Sequence, residues 1–194
     1  MFSIIISLLI ASSGGIFYEE SNSDWYYECI AERAINDCKN RSPEKVNIEI
    51  IDLLIKVEKQ YKVPDSLKGM LLSAACTESG YNPKALGDRK FSKNKKTPKA
   101  VGILQMWSIY EKMYGIDRTN PEQAANAWMK HIVSKLPKVT KQCRYRTERR
   151  IWIAAWVTGI RSKKEGGRCR ERPKHLKILN KWHRHIENYG CGGC

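Results

Sequence analysis

No stretch of the 194-residue chain is apolar for long enough to cross a bilayer as a helix. The N-terminal run Ile4-Ile5-Ile6-Ser7-Leu8-Leu9-Ile10 falls well short of the ~20 apolar residues such a span needs, and a multi-span membrane protein is excluded. Acidic residues are scarce too: 20 Asp and Glu stand against 35 Lys and Arg, for a formal net charge of +15 and a pI near 9.6. A surface of that sign attracts nucleic acid, anionic lipid or an acidic cell-wall polymer, and charge alone does not choose among them. Strand-like alternation and internal repeats are missing, and the periodicity reads as helical nearly everywhere. Hydrophobic residues at 42% and charged residues at 28% are close to the globular average, which rules out wholesale disorder. The length suits one domain around one core.

The N-terminal run, followed by Ala11, Ser12 and Ser13, fits a secretory signal peptide over residues 1–13, with small residues at the two positions that govern cleavage. No Lys or Arg precedes the run, and no Cys follows closely enough to take a lipid anchor. The other reading is a buried N-terminal helix or strand. Seven cysteines, at 29, 38, 76, 143, 169, 191 and 194, are many for a reduced compartment. In an exported chain they read as disulfides with one thiol left over. A secreted or periplasmic protein is therefore expected, with no stable membrane insertion once the leader is removed.

Cys29 and Cys38 fall in one helix, and a rise of ~1.5 Å per residue separates them too far for a disulfide. Each is expected to pair with a distant partner. Cys191 and Cys194, on a Gly-rich tail, are candidates, while Cys143 and Cys169 flank another helix and can close that loop. Cys76, on an apolar helical face, is expected to be the free, buried thiol. A zinc site from Cys191, Cys194, His183 and His185 is the metal alternative. It is disfavoured because two His two positions apart point to different faces of a helix, and no metal or cofactor is expected.

Helices are predicted over 24–40, with Trp25, Cys29, Ala34 and Cys38 along one side, and over 43–62 behind a Ser42 cap and Pro43. Others follow over 66–79, over 121–136 behind Asn120, over 147–160, and over 175–189, stopped by Gly190. Residues 87–100 read as a basic surface loop. Charge is segregated: residues 135–184 hold seventeen Lys and Arg but only Glu148, Glu165 and Glu171, nearly the whole net charge. The organisation expected is a leader (1–13), an N-terminal helical segment (14–62), a catalytic core (63–160), and a basic helix with a cysteine-bearing tail (161–194).

One carboxylate has an unusual setting. Glu78 ends a helix whose preceding turn holds Ala74 and Ala75 beside Leu71 and Met70. The negative end of the helix dipole and apolar surroundings both disfavour its ionisation, and a carboxyl kept protonated near neutral pH is what a general acid for a glycosidic oxygen requires. The plainer alternative is a solvent-facing Glu at a helix end.

The segment Glu78-Ser79-Gly80-Tyr81-Asn82-Pro83-Lys84-Ala85, behind an Ala-rich apolar helix, resembles the catalytic signature of soluble-type (SLT) lytic transglycosylases, relatives of goose-type lysozyme. Ala100-Val101-Gly102-Ile103-Leu104-Gln105-Met106 resembles the family's second motif. Asn120-Pro121-Glu122-Gln123-Ala124-Ala125 resembles the cap before its next helix. Ala154-Ala155-Trp156-Val157-Thr158-Gly159 stands where these enzymes carry Ala-Ala-Tyr-Asn-Ala-Gly. The matches run in order from about residue 60 to about residue 160. Trp156 and Val157 depart from the family's tyrosine and asparagine, and an indole supplies no phenol oxygen.

The resemblance implies an all-α, lysozyme-like fold and cleavage of the β-1,4 bond between N-acetylmuramic acid and N-acetylglucosamine in peptidoglycan, with Glu78 as acid and then base. Ser79 and Gln105 would orient Glu78 and the sugar. Tyr81, Trp107, Tyr110 and Trp156 would offer sugar-stacking walls, while Trp128, Trp152 and Trp182 are assigned to packing. A hydrolytic, inverting relative would need a second carboxylate. Asp88 is the first candidate for it and Asp117 the next, although a turn role suits Asp117 as well. The partners expected are peptidoglycan glycan strands and the anionic wall surface, with the protein acting as a monomer. A competing reading is a catalytically impaired cationic wall-binding or antimicrobial protein on the same scaffold. Nucleic-acid binding ranks last, since no defined motif for it is present.

Overall fold

The structure is a computed structural model that describes residues 24–38, 48–88, 97–143, 147–156 and 175–191. The leader at 1–13, the Ser42 cap and Pro43, residues 89–96 of the basic loop, residues 157–160 of the helix predicted over 147–160, the side chain of Cys143, and Cys169 and Cys194 lie outside the described residues. So do Arg161, Lys163, Lys164, Arg168, Arg170 and Arg172 of the basic segment.

The described residues are mostly helical, in line with the periodicity. Helix α1 (24–38) buries Tyr27, Ile30, Ala34 and Cys38, a helical spacing that presents one face to the core. Trp25, expected on that face, is instead exposed. Helix α2 (Ile48–Lys59) buries Ile50, Ile51, Leu54, Val57 and Glu58. After a short 3-10 turn at Asp65–Leu67, helix α3 (Met70–Ser79) begins at Gly69 and ends at Gly80, both left-handed. Its first seven residues are all buried, which marks it as the central helix rather than a surface one. Gly69 needs its missing side chain: with φ at +85°, a Cβ there would lie 2.7 Å from Ile30 Cγ2. The close approach of α1 to the start of α3 therefore depends on this glycine.

Three two-residue strands follow where no strand was expected: β1 (Leu86–Gly87), β2 (Ala100–Val101) and β3 (Met106–Trp107). They form an antiparallel sheet in the order β1-β2-β3, with Leu86 opposite Val101 and Val101 opposite Met106. Two-residue strands leave no alternation to detect. Gly102, at φ +79°, lies against the Arg118 carbonyl, 2.1 Å from where a Cβ would stand. The glycine of the second motif therefore serves a tight turn under a crossing backbone.

Helix α4 (Ser108–Tyr114) leads to the long α5 (Pro121–Cys143), which Asn120 caps by accepting from the Glu122 and Gln123 amides at 3.0 and 3.1 Å. The helix runs past Pro137 rather than stopping at 136. Proline removes one backbone hydrogen bond, but Val139, buried two turns beyond Ile132, keeps the same face on the core. Helices α6 (Glu148–Trp156) and α7 (Leu176–Tyr189) complete the domain. Helix α3 packs on α2 and α7, and α5 packs on α2 and α6. One buried cluster joins residues from α1 through α7.

Two disulfides are present among the described residues. Cys29 pairs with Cys191, tying α1 to the chain after α7 as the tail's reach suggested. Cys38 pairs with Cys76, at a Cα separation of 5.8 Å. Cys76 is thus not the free thiol. The apolar face that carries it is the face α1 covers, which brings Cys38 within bonding distance. No described helix is long and apolar enough to cross a membrane.

Candidate active site

Glu78 stands one residue from the end of α3, above the buried Ala74 and Ala75. Its side chain is 21% exposed and meets an imidazole: His175 Nε2 lies 2.6 Å from Glu78 Oε1, and the His175 side chain is itself only 14% exposed. His175 is placed by the start of α7, which immediately follows it. Its ring stacks on Trp156 at the end of α6, with centroids 5.6 Å apart and planes 9° apart. Trp156 meets Trp128 of α5 edge to face at 6.1 Å. Three helices beyond α3 therefore converge, side chain on side chain, behind one carboxylate.

Ser79, next to Glu78, serves the neighbouring loop. Its hydroxyl donates to the Ile103 carbonyl at 2.8 Å and approaches the Ala75 carbonyl at 3.2 Å. The first motif is thereby tied to the second. Gln105 is in the left-handed region at φ +47°, and its amide donates to the carbonyls of Gly102 and Ala85 at 2.9 and 3.1 Å. Both residues shape the turn between β2 and β3 and the floor beside Glu78. These partners are main-chain carbonyls, so their side chains are engaged in holding the loop.

The other expected site residues are placed differently. Tyr81 is 2% exposed and donates its hydroxyl to the Leu72 carbonyl at 3.1 Å. It is a core residue and offers no wall to a sugar, because the turn after Gly80 folds its ring under α3. Trp156 is likewise buried, with His175 on one face; it backs the site rather than lining it as an open stacking surface. Asp88 accepts from Trp107 Nε1 at 2.9 Å, and Lys99 Nζ sits 5.4 Å over the same indole. Trp107, 41% exposed, is the open aromatic of this group. Tyr110 is half-buried against His131, with ring centroids 4.9 Å apart. Asp117 accepts from the Thr119 amide and hydroxyl, which lowers its carboxyl pKa and fits the turn role. Trp152 and Trp182 are buried, and Trp182 donates to Asp37 at 2.8 Å.

Cys191 is bonded to Cys29, which takes its sulfur out of the zinc alternative, and His183 Nε2 lies 2.8 Å from the Lys68 carbonyl. Among the described residues no cluster of three His, Cys, Asp or Glu is arranged around a common point. A groove of about 330 Å³ runs beside Tyr114, Asn120, Asn126 and Lys130, and none of the expected site residues lines it.

Two important residues were not singled out from sequence. His175 gave no local signal, since its contact with Glu78 spans 97 positions. Glu58 did give one: it follows Leu54 by four and Ile51 by seven residues and so falls on the apolar face of α2. It is 1% exposed and accepts from the Gly69 and Leu71 amides at 2.5 and 2.7 Å and from the Tyr27 hydroxyl at 3.0 Å. Burial pushes its pKa up to about 7, against the opposing pull of those donors.

Comparison of the chain with protein-family models, with curated proteins and with solved structures returned no match.

Proposed function

We propose that this protein is an exported, lysozyme-like enzyme that cleaves the β-1,4 bond between N-acetylmuramic acid and N-acetylglucosamine in peptidoglycan, as a lytic transglycosylase or a hydrolytic lysozyme. The observation that carries this reading is Glu78 itself. It is a partly shielded carboxyl at the end of a buried helix, braced by His175, with Ser79 tying it to the Gly102–Met106 turn. In the reaction Glu78 gives its proton to the glycosidic oxygen as the bond to the anomeric carbon breaks and its electron pair leaves with that oxygen. The acetamido carbonyl of the substrate stabilises the positive centre. The Glu78 carboxylate then takes a proton from the attacking hydroxyl, either the sugar's own 6-hydroxyl, which closes an anhydro ring, or water. The disulfides suit an oxidising compartment, and the basic segment suits retention on an anionic wall.

The test is E78Q against purified wall. Clearing is expected to fall by about 10³-fold, while thermal stability and co-sedimentation with wall persist; clearing at the parental rate overturns the assignment. Mass spectrometry of released fragments separates the two outcomes of cleavage, since an anhydro end is one water lighter than a reducing end. A second reading is an impaired, cationic wall-binding protein, favoured by the indole at position 156, which brings no phenol oxygen to Glu78. It predicts that E78Q leaves killing unchanged and that neutralising Arg161, Lys163, Lys164, Arg168, Arg170 and Arg172 abolishes it.

A further inference from the structure

We infer that His175 is the positioning residue of this site: its imidazole bonds Glu78 Oε1 from Nε2 and fixes the carboxyl plane. The inference rests on the glycosidase reading of Glu78 and adds a residue that the sequence motifs do not contain.

Three observations carry it. The contact is short, 2.6 Å between two side chains that are each largely shielded from solvent, where a hydrogen bond to a carboxyl oxygen is stronger and better aimed than in water. The imidazole cannot swing freely, because its face lies on Trp156 at 5.6 Å and 9°, and Trp156 is wedged edge-on against Trp128. Finally, His175 Nδ1 is buried and has no hydrogen-bond partner among the described residues. A buried N–H without an acceptor is costly, whereas a bare ring nitrogen is much less so. The ring proton therefore belongs on Nε2, facing Glu78.

The work of His175 is geometric: it holds Glu78 Oε1 and so fixes the carboxyl plane from which the proton is delivered. It fills by a different route the place left by the phenol that Trp156 lacks. The indole supplies the surface, and the imidazole lying on it supplies the polar contact.

The experiment compares H175F, which keeps an aromatic ring on Trp156 but donates nothing, with H175Q, whose side-chain amide reaches the position of Nε2. Cleavage of soluble glycan fragments from purified wall is the readout, with E78Q as reference. H175F is expected to lower kcat by about ten- to a hundredfold with KM little changed, at a thermal midpoint close to the parent's. H175Q is expected to restore most of the lost kcat. Nitrogen NMR of the parent should place the His175 ring proton on Nε2 rather than on Nδ1. Parental kcat in H175F, equal losses in H175F and H175Q, or an Nδ1-protonated ring overturns the role of His175 while E78Q remains inactive. Parental activity in E78Q would instead remove the glycosidase reading, and this inference with it.

Discussion

Glu58 and Glu78 stand at opposite ends of α3, both shielded, yet their surroundings differ in kind. Glu58 lies at the start of the helix, fully buried, and its oxygens are taken up by two main-chain amides and a tyrosine hydroxyl. It satisfies donors that the first turn leaves without intrahelical partners, at the end where the dipole favours negative charge. Glu78 lies at the other end, where the dipole opposes negative charge, partly exposed and held by an imidazole from a distant helix. Main-chain donors tie a carboxylate to the fold, whereas in the proposed reading a side-chain contact beside a partly exposed edge leaves Glu78 to do chemistry. A buried carboxyl is therefore not by itself a sign of catalysis. The kind of partner and its access to solvent distinguish the two.

Exchanging the two positions in a paired experiment is the hardest test of that distinction. E78Q should cost about 10³-fold in cleavage and move the thermal midpoint by less than about 3 °C. E58A should do the reverse. It strands the Gly69 and Leu71 amides and the Tyr27 hydroxyl in the core, at about 3 kcal/mol or more in total, and whatever folded protein remains should cleave at near the parental rate. If E58A abolishes cleavage without loss of stability, or E78Q unfolds the chain, the assignment of roles is wrong.

Glu58 also makes stability depend on pH. Burial raises the Glu58 pKa from 4.5 to about 7 in the folded chain. Between those values the unfolded chain releases its proton while the folded chain keeps it, so the unfolded state binds fewer protons and stability falls as pH rises. The contribution is full below pH 4.5 and lost through pH 7, a difference of about 3 kcal/mol. Chemical denaturation at intervals across that window should show the decline, and E58Q, which carries no titrating group, should flatten it. An unchanged slope in E58Q would assign the effect to another group.

Much of this was legible along the chain and part of it was not, for physical reasons. Helix α3 and Glu78 were readable because the apolar spacing and the Glu-Ser-Gly ending are local features. Helix α7 was readable from its stripe of Leu179, Trp182 and Ile186, closed by Gly190. The disulfide partner of Cys76 was not: the same apolar face fits a buried thiol or a bonded one, and only the approach of α1 decides. Tyr81 misled for a similar reason, since an aromatic after a catalytic motif looks available until the left-handed Gly80 turns it into the core. His175 was beyond reach, because nothing in Pro173-Lys174-His175 says which helix end it will face.

The smallest effect concerns Ser79, which lies between the two behaviours. It is adjacent to the catalytic candidate, yet it bonds main chain as Glu58 does, donating to the Ile103 carbonyl at 2.8 Å. If its job is to hold the loop, S79A should cost about 1 kcal/mol of stability and only a few-fold in cleavage, chiefly through KM as the Gly102–Met106 turn loosens. Urea denaturation and steady-state kinetics on the same sample measure both. A kcat loss as large as that of H175F, with KM unchanged, would move Ser79 from the loop to the carboxylate and put a second side-chain donor at the working end of α3.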